Sequence, residues 1–199
     1  MGSPLVLASG SEIRAQLLRN AGLDPQIFPA RIDEDMVRES LLAESAPPRD
    51  IADTLAEMKA LKVSDKTPGA LVLGCDQVLD HQGTLFTKAD TLEQARDQLQ
   101  RLRGSRHMLL SAAVICRDGK PLWRHVGQVR LYMRDFSDAY LDAYLDRNWN
   151  SVRHAVGCYK LEEEGVRLFH RIEGDYFNVL GLPLLELLSH LALIGEIDG

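Results

Sequence analysis

The stretch Leu5-Val-Leu-Ala-Ser-Gly-Ser-Glu-Ile-Arg14 combines a strand, a polar turn and the start of a helix. Its apolar run from Leu5 to Ala8 predicts the strand, and apolar residues then recur at helical spacing from Ile13 to Ala21. Such a junction directs backbone N–H groups and the positive end of the helix dipole to one point, where an anion can bind. Ser11 is expected to cap this helix with its side chain. The order of these elements predicts an α/β protein.

A second strand carries one acidic residue between two apolar runs. Ala70 to Cys75 is apolar, Asp76-Gln77 follows, and the chain continues with Val78-Leu79. A carboxylate in this setting is costly unless it is paired or ligated, although an aspartate can also simply cap a loop at a strand end. After a hairpin turn at His81 to Gly83, the chain returns through Lys88, which is expected to bring a cation near Asp76.

The composition limits the kinds of partner. Of 199 residues, 23 are Lys or Arg and 29 are Asp or Glu, which gives a formal charge of −6 and disfavours long nucleic acid and acidic membranes. No window holds about 18 uninterrupted apolar residues, so no membrane partner is expected. The three cysteines are too far apart for a redox pair or a zinc knuckle. We therefore expect a cytoplasmic protein with reduced thiols.

The other segments complete an alternation of strands and helices. Lys59, beside the apolar stripe of one helix, is expected to be a solvated charge, and the acidic residues that open another helix would ordinarily complement its dipole. The predicted elements are a strand over Gln26 to Ala30, helices from Ile32-Asp33-Glu34-Asp35 to Leu42, Asp50 to Val63, Thr91 to Arg103 and Ser137 to Asp146, paired strands His107 to Cys116 and Leu122 to Met133, and a last helix after Pro183. Asp118-Gly119 is the predicted tight turn between the paired strands, and Thr91-Leu-Glu-Gln94 is a capping box that begins its helix.

Taken together, these segments resemble the Maf family of nucleotide pyrophosphatases, from Leu5 to about Leu188. The family motifs include S-x-S-x-R-R after the first strand, G-x-D-[TQ], and I-x-G-D-x-x-N-V-x-G-L-P near the C-terminus. Ile13 replaces the first arginine, and the Gly and Pro that flank a loop lysine in the family are Thr87 and Ala89 here. The matching segments are Ser9 to Arg14, Ile32 to Glu34, Lys59-Ala60, Gly74 to Gln77, Thr87 to Ala89, Arg103 to His107 and Ile172 to Pro183.

The resemblance implies hydrolysis of a nucleoside triphosphate between its α and β phosphates, giving a nucleoside monophosphate and pyrophosphate. This chemistry needs cations around the phosphates, carboxylates for a hard metal and a base for water. By resemblance, Asp76 is the general base and Glu34 the second acid, and both would hold Mg²⁺ or Mn²⁺. The implied phosphate ligands are Ser9, Ser11, Arg14, Lys59 and Lys88.

The resemblance also bears on the base, the fold and the assembly. Gln77 and Glu162, with Lys160, are similar to the branch of the family that acts on 7-methyl-GTP, and a carboxylate suits a guanine edge or a cationic methylated base. The segment Gly157 to Glu162 would face that base. The implied fold is a single domain over residues 1–199, with an elongated, twisted mixed sheet flanked by helices and two lobes around a central cleft. Family members are often homodimers.

Three alternatives remain at this point. The chain could be a regulator of cell division that acts by binding a partner, although the acids and phosphate-holding cations are all present. A pyrophosphatase of the inosine triphosphatase type would lack the Ser-x-Ser start. A thiol enzyme based on Cys75 is disfavoured because the neighbouring carboxylate of Asp76 would raise the pKa of the thiol.

Overall fold

A computed structural model describes residues 3–198 of the chain as an α/β protein. None of the helices in this described part combines the length and the apolar character that a bilayer crossing requires. The elements are β1 (Leu5–Leu7), α1 (Glu12–Asn20), β2 (Gln26–Ile27), α2 (Glu34–Ala43), α3 (Pro48–Ser64), β3 (Leu71–His81), β4 (Thr84–Phe86), α4 (Leu92–Leu102), β5 (Arg106–Arg117), β6 (Lys120–Met133), α5 (Asp138–Val152), a 3-10 turn (Glu164–Leu168), β7 (Phe169–Glu173), α6 (Tyr176–Val179) and α7 (Leu184–Leu193).

The strands form one mixed sheet. Its order is β2-β1-β3-β5-β6-β7, and β4 pairs with β3 outside this path. Strand β1 is parallel to β2 and to β3, whereas β4 is antiparallel to β3 and β7 is antiparallel to β6. Parallel pairing of β1 and β3 requires a long crossover, which α1, β2, α2 and α3 provide. The expected α/β class with a mixed sheet and flanking helices is confirmed.

The chain divides into two compact units. The first comprises the residues up to Gln77, Ser111–Gly127 and the residues from Tyr176 onward; the second comprises Val78–Leu110 and Gln128–Asp175. The core of the first unit includes Leu7, Leu18, Leu73, Ile115, Leu182 and Leu187. In the second unit, the buried side chains include Leu99, Leu102, Leu141, Tyr144 and Leu145.

Local sequence signals identified the tight turns and one helix cap correctly. Gln82 and Gly83 both have positive φ, as do Asp118 and Gly119, which is what a two-residue hairpin of type I′ requires. Thr91 accepts a hydrogen bond from the Gln94 backbone N–H, and this cap begins α4 as expected.

Other expectations about local structure were wrong. Ser11 occupies the N-cap position of α1, but its side chain makes no capping hydrogen bond. Strand β2 has only two residues rather than extending to Ala30: the Phe28 backbone N–H still donates to the Leu7 carbonyl oxygen, and Pro29, whose ring restricts its backbone φ, follows. Helix α5 continues beyond Asp146 to Val152. Within this added stretch, the Asn148 side chain donates a hydrogen bond to the Tyr144 carbonyl oxygen.

Candidate active site

Asp76 lies within strand β3, between two apolar runs as the sequence predicted. It therefore does not cap a loop at a strand end. Its side chain faces helix α3, which packs unusually close to the strand at Gly74. A Cβ built on Gly74 would collide with the Ala56 carbonyl oxygen and would lie 2.7 Å from the Ala60 backbone nitrogen. Because α3 is this close, the Lys59 Nζ lies 2.8 Å from Asp76 Oδ1. Because Gly74 has no side chain, α3 can approach β3 closely enough for Lys59 to pair with Asp76.

Lys59 bridges two carboxylates. Its Nζ also lies 3.0 Å from Glu34 Oε2 and donates to the Cys75 carbonyl oxygen at 3.4 Å. The side chains of Lys59 and Asp76 are only 9% and 7% exposed, whereas that of Glu34 is 39% exposed. The expectation of a solvated Lys59 was therefore wrong: the side chain is buried, and the two acids compensate its charge.

Helix α2 presents Glu34 without relying on it for capping. Asp33 supplies the N-cap, since its carboxylate accepts a hydrogen bond from the Met36 backbone N–H at 3.0 Å. Glu34, in the first turn, is therefore available to pair with Lys59. An acid at a helix start often serves only the dipole. Here one acid caps the helix and the next extends to the buried lysine.

The two oxygens of Asp76 are in different situations. Oδ1 accepts from Lys59, while Oδ2 is buried and has no hydrogen-bond partner within the described residues 3–198. Burial raises the pKa of Asp76; the Lys59 charge and hydrogen bond and the Arg14 charge oppose the rise, and Glu34 adds to it. One oxygen is thus held by a cation, and the other is left to accept a proton or to bind a cation.

The polar turn before α1 fixes an arginine. Ser9 Oγ accepts hydrogen bonds from the Ser11 backbone N–H and from Arg14 Nη1, both at 3.2 Å. Arg14 Nε donates to the Gly181 carbonyl oxygen at 2.7 Å. The first unit therefore brings Ser9, Ser11 and Arg14 together, and the Arg14 charge acts on Asp76.

Gln77 follows Asp76 and, because side chains alternate along a strand, points to the other face of the sheet. Its Nε2 lies 3.0 Å from each of three acceptors, which are Ser111 Oγ and the carbonyl oxygens of Asn178 and Val179. The N–H groups of this side chain are therefore engaged inside the first unit. Ser111 was not singled out by the sequence, because a serine within an apolar strand carries no distinctive signal.

The remaining predicted site residues belong to the second unit. Lys88 and Glu162 are exposed. Lys160 is half-buried, and its Nζ donates to Ser151 Oγ at 2.8 Å and pairs with Glu163 at 3.4 Å. Their roles toward a substrate stay predictions.

Cysteine and histidine chemistry is not favoured at these positions. Burial raises the pKa of the Cys75 thiol to about 11, which keeps it protonated near neutral pH. Burial lowers the pKa of His107 to about 3, and its Nε2 lies 2.7 Å from the Tyr159 hydroxyl. His107 is therefore a neutral core residue. The thiol-enzyme alternative loses its chemical basis.

The carboxylates of Asp76 and Glu34 have the chemistry of ligands for a divalent cation. Within the described residues 3–198, no three or more His, Cys, Asp or Glu side chains are grouped so as to hold a metal by themselves. Mg²⁺ is commonly held by one or two carboxylates, with substrate phosphate and water in the other positions. Asp76 Oδ2 and the half-buried Glu34 carboxylate are oxygen donors of this kind, so the donor chemistry fits Mg²⁺ or Mn²⁺.

Fold and site together define an α/β protein whose first unit sets a buried carboxylate among a lysine, an arginine and a helix N-terminus, a combination suited to anionic substrates. The chain belongs to the Maf family, whose sequence model, described as "Maf-like protein", matches residues 4–194. The resemblance drawn from the motifs is thereby confirmed.

Relatives of known name agree with this assignment. A protein named "Nucleoside triphosphate pyrophosphatase" from Roseobacter denitrificans is 71% identical, with 99% of each chain covered. One of the same name from Ruegeria pomeroyi is 67% identical over 100% of both chains. A "7-methyl-GTP pyrophosphatase" from Brucella abortus is 46% identical, with 98% of each chain covered. All three names are those of enzymes, and none refers to cell division.

Proposed function

We propose that this protein is a nucleoside triphosphate pyrophosphatase. It would add water across the bond between the α and β phosphates, so that a nucleoside triphosphate and water give a nucleoside monophosphate and pyrophosphate. Membership of the Maf family and the names of the relatives support this reaction. The observation that carries it is the buried Asp76 carboxylate, with Oδ1 on Lys59 and Oδ2 unpaired within residues 3–198.

Asp76 is the proposed general base. Its Oδ2 would take a proton from the attacking water, and its raised pKa makes the carboxylate a stronger base than an exposed aspartate. Lys59 opposes the rise in pKa, so it favours the ionised form that can accept the proton. It also fixes the side chain through Oδ1, which leaves Oδ2 directed away from the ion pair.

The phosphates would be held by the cations of the site. Arg14 would donate from its guanidinium, and Ser9 and Ser11 from their hydroxyls, at the start of α1, where the helix dipole also favours an anion. Lys88 completes the proposed set by resemblance. Asp76 and Glu34 would hold Mg²⁺ or Mn²⁺, which when bound neutralises phosphate charge.

The proposed substrates are modified purine nucleoside triphosphates, with 7-methyl-GTP first among them. The Brucella abortus relative carries that substrate in its name. Gln77, Lys160 and Glu162 match the corresponding branch of the family by resemblance, with Glu162 as the group that recognises the base. A homodimer and a cytoplasmic location are further expectations from the resemblance and the composition.

Substituting Asp76→Asn tests the reaction. The change removes the base but keeps the shape, so pyrophosphate release from a panel of triphosphates should fall at least about 100-fold, the scale of general-base catalysis. Asp24→Asn, the same change at an exposed residue of the first unit, should keep the wild-type rate. Chelation by EDTA should stop turnover, and added Mg²⁺ or Mn²⁺ should restore it. Full activity of Asp76→Asn with an unchanged circular dichroism spectrum would refute the proposal.

The same panel tests the substrate class. Glu162→Gln should lower kcat/KM for 7-methyl-GTP relative to the pyrimidine triphosphates, because the carboxylate that faces the base is lost. Glu93→Gln, at an exposed position of the second unit, should leave the ranking unchanged. If the ranking of substrates is the same in wild type and Glu162→Gln, Glu162 does not recognise the base.

A further inference from the structure

One short loop contacts polar groups from two parts of the site. It comprises the last two residues of α6, Asn178 and Val179, and the turn residues Leu180 and Gly181, and is called the brace loop below. At its end, the Gly181 carbonyl oxygen accepts a hydrogen bond from Arg14 Nε at 2.7 Å. Arg14 Nη1 donates to Ser9 Oγ at 3.2 Å. Within the described residues 3–198, two of the five N–H donors of the guanidinium are therefore engaged, which leaves three for a phosphate.

The other end of the brace loop is anchored in the first unit. The Asn178 carbonyl oxygen accepts from Ser111 Oγ at 2.5 Å and from Gln77 Nε2 at 3.0 Å, and the Val179 carbonyl oxygen also accepts from Gln77. The side chain of Asn178 fills the space that a side chain at Gly127 would occupy. These contacts hold the loop against the strands next to Asp76, so the position of the Gly181 carbonyl is fixed as well.

Only glycine suits the end of this loop. Gly181 has φ +95°, and a Cβ built there would lie 3.1 Å from both Nε and Nη2 of Arg14. A methyl group would therefore strain the backbone and displace the guanidinium by a few tenths of an ångström. Because Gly181 has no side chain, its backbone can adopt the positive φ that directs the carbonyl oxygen toward Arg14. The same absence leaves room for the guanidinium.

We propose that Gly181 is a positioning residue that aims the Arg14 guanidinium through its carbonyl oxygen. The catalytic part of this inference rests on the proposed function, in which Arg14 holds the phosphates. The sequence motif that contains Gly181 resembles the family, but nothing in its spacing indicates that a carbonyl of this loop contacts an arginine 167 positions earlier.

The main experiment is a double-mutant cycle on pyrophosphate release. Gly181→Ala should lower kcat/KM by about 10- to 100-fold, because small displacements of a positioning group are costly in catalysis. In an Arg14→Lys background, which keeps the charge but lacks the Nε donor, the same substitution should change kcat/KM less than about threefold. A purely structural defect would give the same fold-change in both backgrounds, and that result would overturn the inference.

Two glycines provide matched controls for backbone strain. Gly22 and Gly195 have φ of +81° and +73°, and no atom of the described part of the chain lies within 4 Å of a Cβ built on either. Their alanine variants should suffer comparable strain but keep kcat/KM within about twofold of wild type. A loss in these variants as large as that of Gly181→Ala would also overturn the inference. If Gly181→Ala does not fold, Ser111→Ala replaces it, with a smaller loss that again disappears in the Arg14→Lys background.

A spectroscopic measurement separates this inference from the proposed reaction. In a ¹H–¹⁵N spectrum, the Arg14 Nε–H signal, identified by its absence in Arg14→Lys, should be protected from exchange in wild type and in Gly195→Ala, and exposed in Gly181→Ala. Protection that survives in Gly181→Ala would overturn the positioning role. If the expected pattern appears but wild type releases no pyrophosphate, the proposed reaction fails and the aiming of Arg14 stands.

Discussion

At the scale of single residues, Asp76 is subject to opposing influences. Burial favours its protonated form, and the nearby Glu34 carboxylate acts in the same direction, whereas Lys59 and Arg14 favour the ionised form. Burial has the largest effect, and the pKa is raised. The neighbours of Asp76 therefore help to set how strong a base its carboxylate is.

This balance gives a prediction about the pKa of Asp76 in the metal-free protein. Lys59→Met removes a cation that opposes the rise, so the pKa should increase further. Glu34→Gln removes an acid that adds to the rise, so the pKa should fall. Carboxyl ¹³C NMR over a pH series measures both values, with the Asp76 signal assigned from Asp76→Asn. Shifts of the same sign in the two variants would contradict the proposed electrostatics.

The sequence predicted that Asp76 would need a partner but did not single out the lysine that pairs with it. The hairpin after β3 led to the prediction that Lys88 comes near Asp76, which stays a prediction, and the observed hydrogen-bonded partner is Lys59. Lys59 is adjacent to an apolar stripe in sequence, and nothing in that pattern distinguishes a lysine that points to solvent from one that reaches a strand. The difference depends on the separation between α3 and β3, which is a tertiary property.

At the scale of elements, the contact of α3 with β3 at Gly74 determines the geometry of the ion pair. The atoms that a Cβ would meet are the Ala56 carbonyl oxygen and the Ala60 backbone nitrogen, together with the Ala60 Cβ. Since backbone atoms of a helix cannot rotate away, any side chain at position 74 must push α3 off the strand. The Lys59 ammonium would then move away from Asp76.

We therefore expect Gly74→Ala to lower both stability and activity. The loss of stability should be about 3 kcal/mol or more, because overpacking against backbone is not relieved by a change of rotamer. Chemical denaturation measures the free energy of unfolding, and pyrophosphate release measures activity. The double variant Gly74→Ala with Ala60→Gly should not recover, since the backbone atoms remain in place. Recovery would show that the Ala60 methyl group, and not the helix backbone, sets the separation.

Elements defined by local chemistry were the ones that sequence could predict. The hairpins at Gln82-Gly83 and Asp118-Gly119 and the cap at Thr91 depend only on neighbouring residues, and all three were predicted correctly. The predicted cap at Ser11 was wrong. Its side chain makes no capping hydrogen bond, and its backbone N–H donates to Ser9 Oγ. The hydrogen bond between Arg14 and the brace loop joins distant parts of the chain, so a single sequence cannot reveal this contact.

At the scale of the whole molecule, total charge and local charge have different consequences. The chain carries a formal charge of −6, yet Arg14 and Lys59 both lie in the first unit. There, their positive charges oppose the rise in the pKa of Asp76. A small anion contacts only these nearby groups. A long polyanion would also meet the excess of acidic side chains over the rest of the surface, which repels it.

The protein should therefore discriminate between phosphate anions by size. At about 0.15 M salt, where exposed charges interact over about 8 Å, excess transfer RNA should leave kcat/KM for a nucleoside triphosphate unchanged within about twofold. Inorganic triphosphate, which carries a similar charge on a small body, should inhibit competitively. Lowering the salt should not bring RNA inhibition into the range of the triphosphate, because the repulsion from a net negative surface strengthens as screening falls. Competitive inhibition by RNA at concentrations near the KM of the substrate would show that local cations, and not the net charge of −6, govern which polyanions the protein binds.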